Sequence, residues 1–156
     1  MTLDEITKTA ILPALSLIGV KNTQEALVEL LAIGLQESRF IYRRQIGGPA
    51  RSFWQFEQGG GVKGVLNHEV TQAKSRALCA AREVEATPAA VYNRLEHDDV
   101  LGAGFARLLL LSDPRPLPGL GKADEAWLYY LRNWRPGKPH PQTWPGFYQQ
   151  ALGYVR

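Results

Sequence analysis

The sequence predicts a mainly helical single domain, spanning residues 1–156, with a loop or short β-hairpin region around residues 40–60. Three observations carry this. Apolar residues recur at three- and four-residue spacings over several stretches of helix length. No stretch of strand length alternates apolar with polar residues. Clusters of Gly and Pro punctuate the helical stretches. The 156 residues suffice for one sizeable core. An apolar content of 45% against 21% charged argues against disorder.

Taken in order, LDEITKTAILPALSLIG reads as a helix ending near Gly19, with Pro13 as an internal kink. KNTQEALVELLAIGLQES follows. Asn22 and Glu25 have capping-box spacing and mark its start. Residues 40–61 hold too many Gly, Pro and aromatic residues for a long helix. VKGVLNHEVTQAKSRALCAAREVEA reads as one helix. TPAAVYNRLEHD starts on Thr87 as N-cap, with Pro88 at the first helical position. DDVLGAGFARLLLLSD is the most apolar helix and is expected at the centre. PRPLPGLGK is a proline-stiffened connection, ADEAWLYYLRNW a helix, RPGKPHPQTWP a loop and GFYQQALGYVR a short final helix.

Several function classes drop out. The single Cys79 allows no internal disulfide and reads as a small buried side chain. His68, His97 and His140 lie in separate segments without metal-ligand spacing. QGGGVKG lacks the Lys-Ser/Thr of a phosphate loop and reads as a flexible connection at a cleft edge. No cofactor is implied. The acidic MTLDEITK differs from a signal peptide, and no apolar run reaches the length of a membrane span. The net charge of +3 is too small to choose a partner. The basic stretch SRFIYRRQ is not part of a longer stripe, so nucleic acid is not the expected partner.

One carboxylate stands out. At 100° per residue, Ala26, Leu30, Ile33 and Glu37 share one stripe of an apolar helix. That spacing turns Glu37 inward at the helix C-terminus. Burial and the negative end of the helix dipole both raise a carboxyl pKa, which suits a general acid. The competing expectation is a surface Glu paired with Arg39, Arg43 or Arg44. Downstream, Phe53, Trp54 and Phe56 offer apolar walls, and Ser52 and Gln55 offer polar groups between them. Such a mixture suits a polar ligand with apolar faces, such as a sugar. The alternative is an aromatic core cluster.

These residues carry a resemblance. GLQES followed by GGPARSFWQ resembles the signature of the lytic transglycosylases related to goose-type lysozyme, in which a helix ends in Glu-Ser and a glycine-containing turn leads to Gly-Leu-Met-Gln. Gln55 stands at that glutamine, 18 residues after Glu37 (55 − 37), and Ser52, Phe53 and Trp54 replace Gly, Leu and Met. The family also carries a late-helix tyrosine within Tyr-Asn-x-Gly. Tyr130, or its neighbour Tyr129, is the counterpart here, without the Asn. FARLLLLSDPRPLP together with WRPGKPHPQTW is similar to a phage-type lysozyme-like subgroup.

The resemblance implies a lysozyme-like fold and a peptidoglycan substrate. It implies cleavage of the β-1,4 bond from N-acetylmuramic acid to N-acetylglucosamine, with Glu37 as general acid and then base. Ser52, Phe53, Trp54, Gln55 and Tyr130 would contact the glycan. A two-carboxylate lysozyme mechanism is the alternative. Glu57 is its open candidate, because Asp98 and Asp99 read as helix-start residues and Asp113 as a turn residue. A non-catalytic peptidoglycan-binding role in a phage particle is a further alternative, since function resides in the site rather than the fold. The expected setting is synthesis in a cytoplasm and action on the cell wall, as a virion component or endolysin. The expected state is a monomer or part of a phage particle.

Overall fold

The computed structural model describes all 156 residues, and they are mainly helical. Helix α1 (Leu3–Ile6) opens on a capping box between Thr2 and Glu5. It continues through a π-helical turn (Thr7–Ile11) into α2 (Leu12–Ile18). Pro13 lacks an N–H and crowds the carbonyl four residues back, that of Thr9. The widened turn absorbs this ahead of the proline, so the kink takes the form of a π-bulge. Gly19, at φ +65°, ends the helix.

Helix α3 (Gln24–Ser38) starts one residue later than Asn22 predicts. Thr23 is the cap and accepts from the Ala26 N–H at 3.2 Å. The predicted helix after residue 61 is divided. Residues Gln58–Val62, expected as a flexible connection, form a π-helical turn, and α4 (Lys63–Asn67) follows it. The chain then breaks at His68, whose ring Nδ1 accepts from the Val70 N–H, while the Thr71 hydroxyl donates to the Val65 carbonyl. These side chains compete with the helical ladder. Helix α5 (Gln72–Ala81) resumes beyond the break. Helix α6 (Pro88–Leu95) begins as predicted, with Thr87 capping the Ala90 N–H. Helices α7 (Asp99–Ser112), α8 (Ala123–Trp134) and α9 (Trp144–Val155) complete the chain. The last begins earlier than GFYQQ suggests, because Trp144 and Pro145 enter its first turn.

Helices α3 and α7 are buried on nearly all sides. Helix α9 lies along α3, and α7 rests on α2, α5 and the first π turn. One contiguous cluster of buried apolar side chains runs from Leu3 to Leu152, so both ends of the chain serve the same core. Between α3 and the second π turn no strand forms. The isolated pairings Arg44 with Arg51 and Arg51 with Phe56 are all that stands in place of the predicted hairpin. Arg39, Phe40, Ser52 and Gln55 all have positive φ, and each turns the chain before a ladder can extend. No helix is long and apolar enough to cross a membrane.

Candidate functional site

The site begins where α3 stops. Gly34 leaves a gap that the Phe40 ring fills, since a Cβ there would lie 2.0 Å from Phe40 Cζ. To reach the gap the chain reverses through two left-handed residues, Arg39 and Phe40. Ser38 secures the reversal. Its hydroxyl donates to the Gly34 carbonyl and accepts from the Phe40 N–H, each at 3.1 Å. Phe40 then meets Phe53 and Trp54 edge-on, with centroids 5.5 Å away in both cases. The helix therefore ends one residue after Glu37, at the lip of a cleft.

Glu37 is half-buried there, and the Tyr130 hydroxyl of α8 donates a hydrogen bond to its Oε1. Tyr130 is itself fixed by stacking on Trp144, at 5.3 Å and 8° between planes. Burial raises the Glu37 carboxyl to about 7. The bond from Tyr130 favours the ionised form and opposes the rise, but burial outweighs it. The Tyr130 phenol is pushed far up by burial and by the adjacent carboxyl, so it remains a donor. Neither Arg43 nor Arg44 reaches Glu37. Arg43 is bidentate to Asp99, and Arg44 to Glu96. Tyr129, the rival of Tyr130, points away and donates to the Leu110 and Arg115 carbonyls.

The cleft has a volume of about 530 Å³, and Glu37, Gln55, Glu57, Tyr130 and Trp134 line it, with residues 135–140 along one side. A second depression of about 460 Å³ adjoins it, sharing Gln55, Glu57, Trp134 and Arg135, with Gly59, Gly60 and Gly61 on its wall. Gln55 donates through Nε2 to the Ser52 carbonyl at 2.8 Å, which orients its amide. The structure thus brings Glu37, Gln55, Glu57 and Tyr130 to one cleft.

Ser52, Phe53 and Trp54 require a correction. All three are at most 1% exposed and do not line the cleft, so they are not positioned to touch a ligand. Their work is support. Trp54 Nε1 donates to the Leu30 carbonyl at 2.9 Å, and the Trp54 carbonyl accepts from Trp134 Nε1 at 2.8 Å. The Ser52 hydroxyl accepts from the Trp54 N–H and lies over Gly102, where a Cβ would come within 2.6 Å. Phe56 is buried as well. The apolar wall that reaches the cleft is Trp134.

No protein-family model, curated protein or solved structure matches the chain.

Other lining residues escape sequence reasoning. Gln36 fastens the 135–143 loop across the cleft, donating to the His140 carbonyl and accepting from the Thr143 hydroxyl, each at 2.9 Å. Arg135 and Lys138 sit on that loop. No spacing rule links residues 36 and 140. A second acid on α3, Glu29, is 2% exposed, and its Oε1 has no hydrogen-bond partner. Burial raises its carboxyl well above the ordinary range. It lies 8 residues before Glu37 (37 − 29), about a quarter-turn around the helix from it and deep in the core. No group of three or more His, Cys, Asp or Glu side chains is placed to hold a metal ion. Cys79 is buried, and burial pushes its thiol up to about 11, away from nucleophilic use.

Proposed function

We propose that the protein cleaves the glycan strands of peptidoglycan, with Glu37 as its acid and base. The observation that carries this is the half-buried Glu37, held by Tyr130 at the edge of a polar cleft that Gln55 also lines. A carboxyl lifted to about 7 is still protonated in a useful fraction near neutral pH and can donate to a leaving oxygen. The two adjoining depressions, at about 530 and 460 Å³, suit an extended ligand of several rings. The resemblance of GLQES and GGPARSFWQ to lytic transglycosylases supplies the substrate class, and a lysozyme-like fold belongs to the same proposal.

Glu37 donates its proton to the glycosidic oxygen as the bond from that oxygen to the muramyl C1 breaks, and positive charge develops on the muramyl ring. The ionised Glu37 then takes the proton of the muramyl 6-hydroxyl. The 6-oxygen bonds to C1 and gives a 1,6-anhydro end. The carboxyl finishes protonated, ready for another strand. Tyr130, bonded to Oε1, keeps the carboxyl aimed, and Gln55 offers its amide carbonyl to the sugar.

One observation favours a second reading. Glu57 lines both depressions, so a second carboxylate is at hand for hydrolysis. Mass spectrometry of digested, purified peptidoglycan separates these outcomes. A 1,6-anhydro terminus is the expected product. A reducing terminus replaces it with hydrolysis, and no product from the wild type overturns cleavage and leaves a binding role. Such a protein would act on the cell wall, as a phage virion component or an endolysin.

A further inference from the structure

We infer that Arg135 and Lys138 form a carboxylate-binding site on the cleft wall, which makes the protein select glycan strands carrying acidic substituents over neutral ones. The inference rests on the proposed glycan substrate and names what on that substrate is recognised.

The cations around the cleft can be sorted by what already holds them. Arg43 and Arg44 are committed to Asp99 and Glu96. Arg51 donates to the Pro49 and Ala50 carbonyls and lies over the Tyr92 ring. Arg132 is paired with Asp113. Arg135 and Lys138 have no acidic partner. The Arg135 guanidinium reaches only the Arg132 carbonyl, at 3.5 Å. In the basic segment next to Glu37, Arg43 and Arg44 are therefore spent on internal ion pairs, and Arg39 lies over the Phe147 ring, outside the cleft lining. The uncommitted charge that lines the cleft lies on the opposite loop.

That loop is built to hold its position. Arg135 ends α8 in the left-handed conformation, at φ +49°, which turns the chain across the cleft. Gln36 uses both ends of its amide to fasten residues 140 and 143. The neighbour of the proton donor thus sets the distance between Glu37 and the cationic loop. A loop fixed before the ligand arrives loses little further entropy on binding. Arg135 lines both depressions, so its charge stands at their junction. Glu57 is the opposing acid at that junction. With Glu37 partly protonated at neutral pH, the two free cations outweigh Glu57 and Glu37 together and leave the cleft net positive. Each muramyl unit presents carboxylates, on the stem peptide where one is attached and on the free lactyl group where none is, and a planar guanidinium suits a carboxylate well.

The test uses purified peptidoglycan in two forms, native and with its carboxyl groups converted to amides, at low and high salt. The wild type should release soluble fragments from native material about fivefold faster, the scale of two solvent-exposed charge contacts. Raised salt should erase the difference. An R135Q/K138Q variant should treat the two forms alike. A preference that survives in the variant, or is missing from the wild type at low salt, overturns the inference. Co-sedimentation of a Glu37→Gln variant with the two forms reads the same selectivity without turnover. Selective pelleting with no fragment release by the wild type would sustain this site and defeat the cleavage reading. Equal pelleting would defeat the site alone.

Discussion

Replacing Tyr130 by Phe removes one hydrogen bond from Glu37 and keeps the ring that stacks on Trp144. Burial lifts the carboxyl from 4.5 to about 7, against the pull of that hydrogen bond. Removing the opposing contribution must therefore raise the carboxyl further. A hydrogen bond to a charged group contributes about 1.5–3 kcal/mol. At roughly 1.4 kcal/mol per pH unit this is one to two units. Water entering the open cleft replaces part of the lost bond, so a shift of about one unit is expected. The general acid works in its protonated form. Its limb in kcat/KM falls as pH rises through the pKa, and in the variant that fall should move alkaline. The assay is the initial rate of fragment release from purified peptidoglycan between about pH 5 and 9. The maximum should also drop, because the carboxyl is no longer aimed, but the position of the limb decides. A limb that stays in place, or moves toward acid, refutes the assignment of Glu37 and Tyr130 as a coupled pair.

Glu37→Gln should lower fragment release by about 10²–10⁴-fold, the usual range for losing a general acid. The same change should affect stability with a definite sign. The folded-state pKa lies above the unfolded one, so the associated stability is fully present below about 4.5 and is lost as pH rises through about 7. Urea unfolding near pH 8.5 should therefore find the Gln variant more stable by up to about 3 kcal/mol, with no such gain near pH 4. Glu57→Gln should reduce the rate by less than about tenfold and leave the 1,6-anhydro product intact; a loss as deep as that of Glu37→Gln would indicate the two-carboxylate mechanism. Gly34→Ala forces Phe40 out of its gap, so it should lower stability by about 1–3 kcal/mol and return the Glu37 limb toward ordinary carboxylate pH. Denaturant melts and the pH profile check both effects.

Local signals found what local chemistry decides. Thr87 and Pro88 open α6, and Asp98 caps α7 through the Leu101 N–H, because caps act within a single turn. Helical spacing placed Glu37 on the inward face for the same reason. The absence of a hairpin was not legible, since the positive-φ turns at Ser52 and Gln55 depend on the room that Gly102 leaves for Ser52 and Gly61 for the Phe56 ring. That same feature misdirects the reading of Ser52, Phe53 and Trp54. Residue types identify them as good ligand contacts, but two positive-φ residues send these side chains into the core and leave Gln55 at the cleft. The break at His68 depends on a side chain meeting its own backbone, which the pattern of apolar residues does not register. The join between Gln36 and residues 140–143 spans more than a hundred positions and leaves no trace in either segment.

Glu37 and Tyr130 come from helices whose partners are 93 residues apart in sequence. Neither the dry surroundings nor the aimed hydroxyl exists in a chain whose last third has yet to dock. Until then residue 37 is an ordinary glutamate, ionised in neutral water and powerless to give up a proton. On the proposed chemistry, completion of the tertiary fold is thus the arming step, and an unfinished or frayed copy would be chemically silent without any inhibitor.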